Sequence, residues 1–213
     1  TSISGNASSL LLHGDSFSED ARRDLYQRIY EDTLWLNDMV ENLLASTRLE
    51  QGEAQLNFSS ELVEDLIEEA VSHVRSRDPG HRVLTDYAEE LLCVRCDPRL
   101  IMQVLVNLLS NAMQYTPSGS TITVRAEQKE DAVMISVADN GPGVPDADKG
   151  RVFDMFYTGT GSVPDGRRSL GFGLALCKTI VNAHGGEITV TDNNPHGAVF
   201  TFSLPAEEVS LDG

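Results

Sequence analysis

Hydrophobic and polar positions repeat with two different periods along this 213-residue chain, and the switches between them mark its elements. Thr1 to His13 place Ile3, Ala7, Leu10 and Leu11 at helical spacing, and His13-Gly-Asp-Ser ends the run. Glu19 to about Arg48 reads as a long second helix. Leu25, Ile29, Leu36, Met39 and Leu43 form its heptad seam, which Tyr26 and Val40 widen and Asp32 interrupts. Two such helices have too little partner surface to bury both stripes. The pattern therefore predicts a homodimer in which two hairpins make a four-helix bundle; the other arrangement it permits is a hairpin folded back on its own domain.

Gly52 marks the expected end of this stem. Leu62 to Val74 then reads as an amphipathic helix stopped by Asp78-Pro-Gly. Strands are predicted at Arg82–Thr85 and Leu91–Cys96, and Asp97-Pro98 caps a helix running to about Tyr115. Thr116-Pro-Ser-Gly is a turn, and Thr121–Ala126 and Ala132–Ala138 alternate as a strand pair. From Pro145 to Leu170 periodicity is lost among closely spaced glycines, which predicts a lid or a disordered loop. A helix from Gly173 to His184 ends at Gly185-Gly186, followed by strands Glu187–Thr191 and Ala198–Leu204 and a frayed acidic tail. Helices alternating with strand pairs predict an α/β fold, a two-layer sandwich with a mixed sheet. The expected organisation is a helical hairpin over residues 1–51, a globular domain over 52–206 and a tail over 207–213.

Charge narrows the chemistry. Sixteen Lys and Arg against 33 Asp and Glu give a formal net charge of −17, which repels nucleic acid and anionic membrane surfaces. No stretch approaches the roughly 20 apolar residues of a membrane span, so the chain reads as soluble, without direct membrane contact. Three cysteines, an odd number, fit a reducing compartment. Cys93 and Cys96 stand three apart on a predicted strand, on opposite faces, and Cys177 alone cannot complete a four-ligand zinc site.

Three segments carry the candidate chemistry: Asn107-Leu-Leu-Ser-Asn111-Ala, Asp139-Asn-Gly141-Pro-Gly143 and Gly171-Phe-Gly173-Leu174-Ala. Asn107 and Asn111 lie one helical turn apart, and Asn111 offers a neutral oxygen of the kind Mg²⁺ accepts. Asp139 offers an acceptor suited to an exocyclic amine such as that of adenine. Gly141 and Gly143 let a flat base approach the backbone, and the helix that Gly171 and Gly173 open has free N–H groups for anionic phosphates. Together they describe a nucleoside triphosphate pocket. Because the chain is so acidic, a bridging cation and oriented backbone dipoles are expected there.

In order, Asn107-Leu-Leu-Ser-Asn111-Ala-x-x-Tyr115-Thr-Pro, Asp139-Asn-Gly-Pro-Gly143, Val-Phe153-Asp-Met-Phe156 and Gly171-Phe-Gly-Leu-Ala resemble the N, G1, F and G2 boxes of sensor histidine kinases. The stem ending Asn42-Leu-Leu-Ala-Ser-Thr-Arg-Leu49-Glu50-x-Gly52 resembles their dimerisation hairpin, and the opening Thr-Ser-Ile-Ser-Gly-Asn-Ala-Ser is similar to the potassium-responsive subgroup. The resemblance implies ATP and Mg²⁺ as cofactors, with Asn111 as metal ligand and Asn107 and Gln114 beside it. It implies Asp139 on the adenine amine, with Tyr115 and Val144 lining the base pocket. Gly141, Gly143, Gly171, Gly173 and Leu174 would shape its walls, and Phe153 and Phe156 would anchor the lid. Tyr115, Phe153 and Phe156 also read equally well as core aromatics.

Two departures stand out. Gln114 and Thr158 occupy places where many relatives carry Lys and Arg, each a charge-assisted contact of roughly 1.5–3 kcal/mol. Arg167 and Arg168 either replace those cations or belong to a solvated loop. None of His13, His73, His81, His184 and His196 has the phosphoacceptor context of a following acid and Leu-Arg-Thr-Pro. The resemblance therefore implies no catalytic residue here, an acceptor His upstream of Thr1, and a fragment that binds ATP without phosphorylating itself. It implies a cognate response regulator as partner and a cytoplasmic location within a membrane-anchored parent. Two alternatives are a degenerate nucleotide-binding or dimerisation module and a fold-sharing ATPase; the latter needs a general-base Glu where Asn107 stands.

Overall fold

The computed structural model describes residues 3–50, 55–77, 80–88, 91–158 and 171–207. Two compact units emerge, Thr1–Ala45 and Ser46–Gly213. In the first, helix α1 (Ile3–His13) passes through a 3₁₀ turn (Gly14–Ser16) into the long helix α2 (Glu19–Glu50). Ser18 Oγ accepts the Ala21 N–H, and Glu19 and Asp20 place negative charge at the helix start, where the macrodipole favours it. The expected seam is poorly covered within the single chain. Leu25 and Ile29 are half-buried, but Leu36, Val40, Leu43, Tyr26 and Tyr30 are exposed; the Met39 side chain lies outside the description.

The second unit is built on a five-stranded sheet ordered β2-β4-β5-β7-β6. Its strands are β2 (Arg82–Tyr87), β4 (Thr121–Lys129), β5 (Ala132–Asp139), β6 (Ile188–Asp192) and β7 (Ala198–Pro205). Strands β2 and β4 run parallel and every other pair is antiparallel, so the sheet is mixed. Strict alternation along β5 and β7 turns Val133, Ile135, Val137, Phe200, Phe202 and Leu204 inward. Helices α3 (Val63–Arg77), α4 (Pro98–Gln114) and α6 (Gly173–Ala183) form the second layer. Their apolar stripes meet the sheet through Ile67, Val71, Leu105, Leu108, Leu109, Leu176 and Ile180. The predicted two-layer sandwich is the observed one. A short helix α5 (Asp146–Lys149) interrupts the stretch expected to lack periodicity.

Two expectations are corrected. Leu62 does not open a helix: Ser59–Leu62 forms β1, paired antiparallel with β3 (Cys93–Cys96), and Leu62 stands opposite Cys93. The helix starts at Val63, whose N–H bonds the Leu92 carbonyl at 2.9 Å, so strand pairing prevails over the amphipathic pattern at that position. The start of the tail is not frayed either. Ala206 bridges Val94, its N–H donates to the Asp131 carbonyl at 2.9 Å, and the Glu207 N–H donates to the Cys93 carbonyl at 2.9 Å. These bonds satisfy backbone groups along the β3 edge. Gly52, Asp78-Pro79, and the loop carrying Arg167 and Arg168 lie outside the described residues.

One buried polar cluster ties the layers together. Asp97, 1% exposed, caps α4 by accepting the Arg99 and Leu100 N–H groups on Oδ1, while its Oδ2 accepts the Asn57 N–H at 3.1 Å. Its own N–H donates to His184 Nε2 at 3.0 Å, and His184 Nδ1 lies 2.8 Å from the Ile180 carbonyl. An imidazole that accepts on Nε2 and donates on Nδ1 is neutral. Phe58 packs edge-on against it, with ring centroids 5.3 Å apart. Asp97→Ala removes the cap and orphans the Asn57 N–H. The expected loss is about 1–2 kcal/mol in urea unfolding, with a smaller loss for Asp97→Asn, which keeps one oxygen acceptor.

Candidate functional site

Helix α4 is amphipathic enough to bury Val104, Leu105, Leu108, Leu109 and Ala112, which sets its rotation about its axis. That rotation leaves Asn107 and Asn111 half-buried, one turn apart on the flank toward α6. Asn107 Nδ2 is buried with no hydrogen-bond partner among the described residues, and Asn107 Oδ1 would lie 3.6 Å from a Cβ placed on Gly173. A buried amide donor without an acceptor costs on the order of 1–3 kcal/mol. Gln114 and Tyr115, both half-buried, end the helix; the Tyr115 N–H closes it on the Asn111 carbonyl at 3.0 Å.

Strand β5 delivers Asp139 to the same region. The residue is only 6% exposed, and its Oδ1 accepts the Gly141 N–H at 2.8 Å and the Ala198 N–H at 3.3 Å. Oδ2 has no partner among the described residues. Burial pushes this carboxyl above the ordinary aspartate range, against the two N–H bonds that pull it down. The glycines around it are sterically required. A Cβ on Gly141 would stand 2.8 Å from Thr116 Cγ2 and 2.9 Å from Asp139 Oδ1, while Gly143, at φ +76°, would bring one to 3.0 Å from the Gly197 carbonyl. Asp139, Gly141 and Gly143 therefore share one cradle with the end of α4, and Val144 follows it, half-buried.

The remaining predicted residues gather around the start of α6. That helix begins at Gly173 without a side-chain cap, and its first internal bond runs from the Leu176 N–H to the Phe172 carbonyl. The N–H groups of Gly173, Leu174 and Ala175 thus have no acceptor within the helix. Gly171, at φ +69°, leaves no room for a Cβ, which would fall 2.2 Å from the Tyr157 carbonyl oxygen. Phe156 stacks edge-on against Phe172 at 4.7 Å, Phe153 meets Phe200 at 6.3 Å, and the Arg151 guanidinium lies 4.7 Å above the Tyr157 ring. Phe156 is nonetheless 65% exposed, so it is not a core aromatic, whereas Phe153 is half-buried.

Gly197 and Asn193 belong to the site and escaped sequence reading. Gly197, at φ +119°, passes so close to Asp139 that a Cβ would meet its carbonyl oxygen at 1.9 Å. Asn193 Nδ2 donates to that same oxygen at 2.7 Å. The signal the sequence carries for them is a glycine immediately before the predicted strand Ala198–Leu204. The thiols stay outside the chemistry: Cys96 and Cys177 are buried and pushed up to about 12 by that burial, so both remain protonated. A cleft of about 530 Å³ against the flank of α6 that carries Lys178 and Asn182 is lined by Phe153, Asp154 and Met155 and by Ala175, but by none of Asn107, Asn111, Asp139 and the glycines around them. Among the described residues no three His, Cys, Asp or Glu side chains gather as metal ligands.

The family described as histidine kinase-, DNA gyrase B-, and HSP90-like ATPase matches residues 96–208, more than half of the chain. The chain is 38% identical over 205 residues to the sensor protein KdpD of Clostridium acetobutylicum, covering 96% of this chain and 23% of that protein. Among solved structures, the Acinetobacter baumannii histidine kinase AdeS superposes with a TM-score of 0.77 at 22% identity, covering 97% of this chain and 94% of that one. Histidine kinase ThkA, crystallised with the response regulator TrrA, gives 0.72 at 25% identity over 96% of this chain and 57% of that one. The chain belongs to the histidine kinase-, DNA gyrase B- and HSP90-like ATPase family, within its sensor histidine kinases. It spans about a quarter of the length of the KdpD relative.

The raised Asp139 carboxyl has a measurable signature. The folded state binds its proton more tightly than the unfolded chain, so stability falls as pH rises from about 4 through the folded value. Asp139→Asn keeps an oxygen acceptor and removes the buried charge. Its urea midpoint is expected to exceed that of the parent at pH 7, with the gain vanishing below about pH 4.

Proposed function

We propose that this chain is the ATP-binding catalytic portion of a sensor histidine kinase, holding Mg·ATP so that its γ-phosphoryl can pass to a histidine and on to a response regulator. The observation that carries the reading is the Asp139 carboxylate, with one oxygen fixed by two backbone N–H groups and the other unpartnered. A buried carboxylate so arranged is an acceptor awaiting a donor, and the exocyclic amine of adenine supplies one. Without side chains at Gly141 and Gly143 a purine ring would lie against the backbone, with Tyr115 and Val144 at its margin. Asn111 would contribute an amide oxygen to the cation, and Asn107, whose Nδ2 lacks a partner, would donate beside it. Gln114 stands at the same helix end. Gly171 and Gly173 bring the N–H groups of Gly173 and Leu174 toward the phosphates, where free donors and the helix dipole favour negative charge. Mg²⁺ would neutralise the phosphate charge that an acidic chain cannot. Phe153 and Phe156 hold the near root of the segment bearing Arg167 and Arg168, which we assign as phosphate cations in place of those missing at Gln114 and Thr158. Positioning and charge stabilisation of this kind are the main demands of phosphoryl transfer.

None of the five histidines carries the acceptor context, and His184 is committed to Asp97 and Ile180. The acceptor therefore belongs to a segment other than those described. The exposed apolar residues of α2, Tyr26, Tyr30, Leu36, Val40 and Leu43, support a homodimer through the stem, and the ThkA–TrrA complex supports response-regulator docking. Similarity to KdpD supports a potassium-responsive, membrane-anchored parent. No described helix is long and apolar enough to cross a membrane.

Two measurements test this reading. Calorimetric titration with ATP is expected to give saturable heat that strengthens with Mg²⁺, and Asn111→Ala is expected to remove most of that Mg²⁺ enhancement. Absence of heat and of any melting shift at millimolar Mg·ATP overturns the reading in favour of a degenerate module. With radiolabelled ATP, no base-stable, acid-labile phosphate is expected on the purified chain; its appearance would refute the assignment of the acceptor elsewhere.

A further inference from the structure

We infer that Asn193 is a positioning residue for Asp139, making the β6–β7 turn a determinant of base specificity; this rests on the adenine reading of Asp139 above. The ladder between β5 and β7 runs from Ala132 opposite Pro205 to Ala138 opposite Val199, and stops one residue short of Asp139. Sheet pairing on that side therefore does not hold the acid. A side chain takes over: Asn193 Nδ2 donates to the Asp139 carbonyl at 2.7 Å, continuing the ladder by one bond that no backbone group supplies.

Asn193 is itself locked. Its N–H donates to the Gly197 carbonyl at 2.9 Å, and its Oδ1 accepts the Asn194 N–H at 2.9 Å. The turn so closed then reaches Asp139 and its neighbour by two further bonds. The Ala198 N–H donates to Asp139 Oδ1 at 3.3 Å, and His196 Nδ1 faces the Gly141 carbonyl at 3.3 Å, where it must donate. Gly197 allows the turn this proximity, since any Cβ would collide with the Asp139 carbonyl oxygen. Asn193 thus positions both the peptide of Asp139 and one of the two N–H groups that distinguish Oδ1 from Oδ2.

Residue type matters in a specific way. Asn193 uses its amide as donor and acceptor at once, and no other side chain of that length offers both from fixed positions. Aspartate has the same shape but would set a carboxylate oxygen against the Asp139 carbonyl. Freed of this clasp, Asp139 keeps only the Gly141 N–H to orient its carboxylate, and selectivity for an amine-bearing base falls while the phosphate half of the site is untouched.

The test compares the 213-residue chain with Asn193→Ala and isosteric Asn193→Asp, titrating Mg·ATP, Mg·GTP and magnesium tripolyphosphate. The parent is expected to bind ATP more tightly than GTP. Both variants are expected to lose about tenfold in ATP affinity, the equivalent of one well-made hydrogen bond, with tripolyphosphate affinity unchanged and the ATP-over-GTP ratio reduced accordingly. In ¹³C NMR the Asp139 carboxyl is expected to titrate higher in the variants, because the Ala198 N–H that lowers it is no longer held. Equal losses for ATP and tripolyphosphate, or unchanged selectivity and titration in the variants, overturn the inference alone. A parent that shows no preference for ATP overturns the adenine reading itself, and the role of Asn193 with it. Should Asn193→Ala fail to fold, Asn193→Asp, which keeps the shape and the Oδ1 acceptor but puts a carboxylate oxygen in place of the donor, decides the matter.

Discussion

A half-satisfied buried carboxylate is the constraint around which this site is organised. Placing Asp139 out of water disfavours its charge, and two backbone N–H groups offset that cost on one oxygen only. The arrangement persists because the surrounding backbone has nowhere else to go. Gly141 runs past the carboxylate and Gly197 past the Asp139 carbonyl at distances that exclude a Cβ, and Gly143, at φ +76°, lies against Gly197 in turn, so conformational permissiveness is converted into a rigid enclosure. The unsatisfied Asn107 Nδ2 on the facing helix has the same logic: local polar frustration held in place by the apolar packing of α4.

That division of labour separates core from chemistry. Leu105, Leu108 and Leu109 are completely buried, and their helical spacing fixes which way Asn107 and Asn111 face. Alternation along β5 likewise fixes which side of the sheet Asp139 ends on. None of these three polar residues adds an apolar side chain to the core, yet all owe their direction to it.

Much of this was legible beforehand, for identifiable reasons. Helices α3, α4 and α6 have long apolar stripes and unambiguous stops, Asp97-Pro98 announces a helix start, and β4 and β5 alternate cleanly. Asn107, Asn111, Asp139 and the box glycines could be named because each chemical role demands a particular residue type. What stayed hidden depends on tertiary pairing. Four residues of β1 carry little apolar signal and are strand only because β3 lies beside them. Ala206 and Glu207 look like tail until the β3 edge and the Asp131 carbonyl offer partners. Asn193 sits in a turn rich in Asn and Pro, where local turn chemistry is an adequate explanation and masks a contact to a residue 54 positions away.

The imidazole of His184 has a mechanical consequence. It joins the first residues of α4 to the last of α6, so the two helices run antiparallel, fastened at one end and, at the other, facing each other through Asn107 and Gly173. One end of the pair is closed by a neutral ring, and the other sets the amide face of one helix against the open N–H groups of the other. Between those ends the helices stay packed, with the Cys177 thiol of α6 3.9 Å from the Val104 carbonyl of α4. His184 thus fixes one end of the helix pair whose other end presents the amide of Asn107 to Gly173.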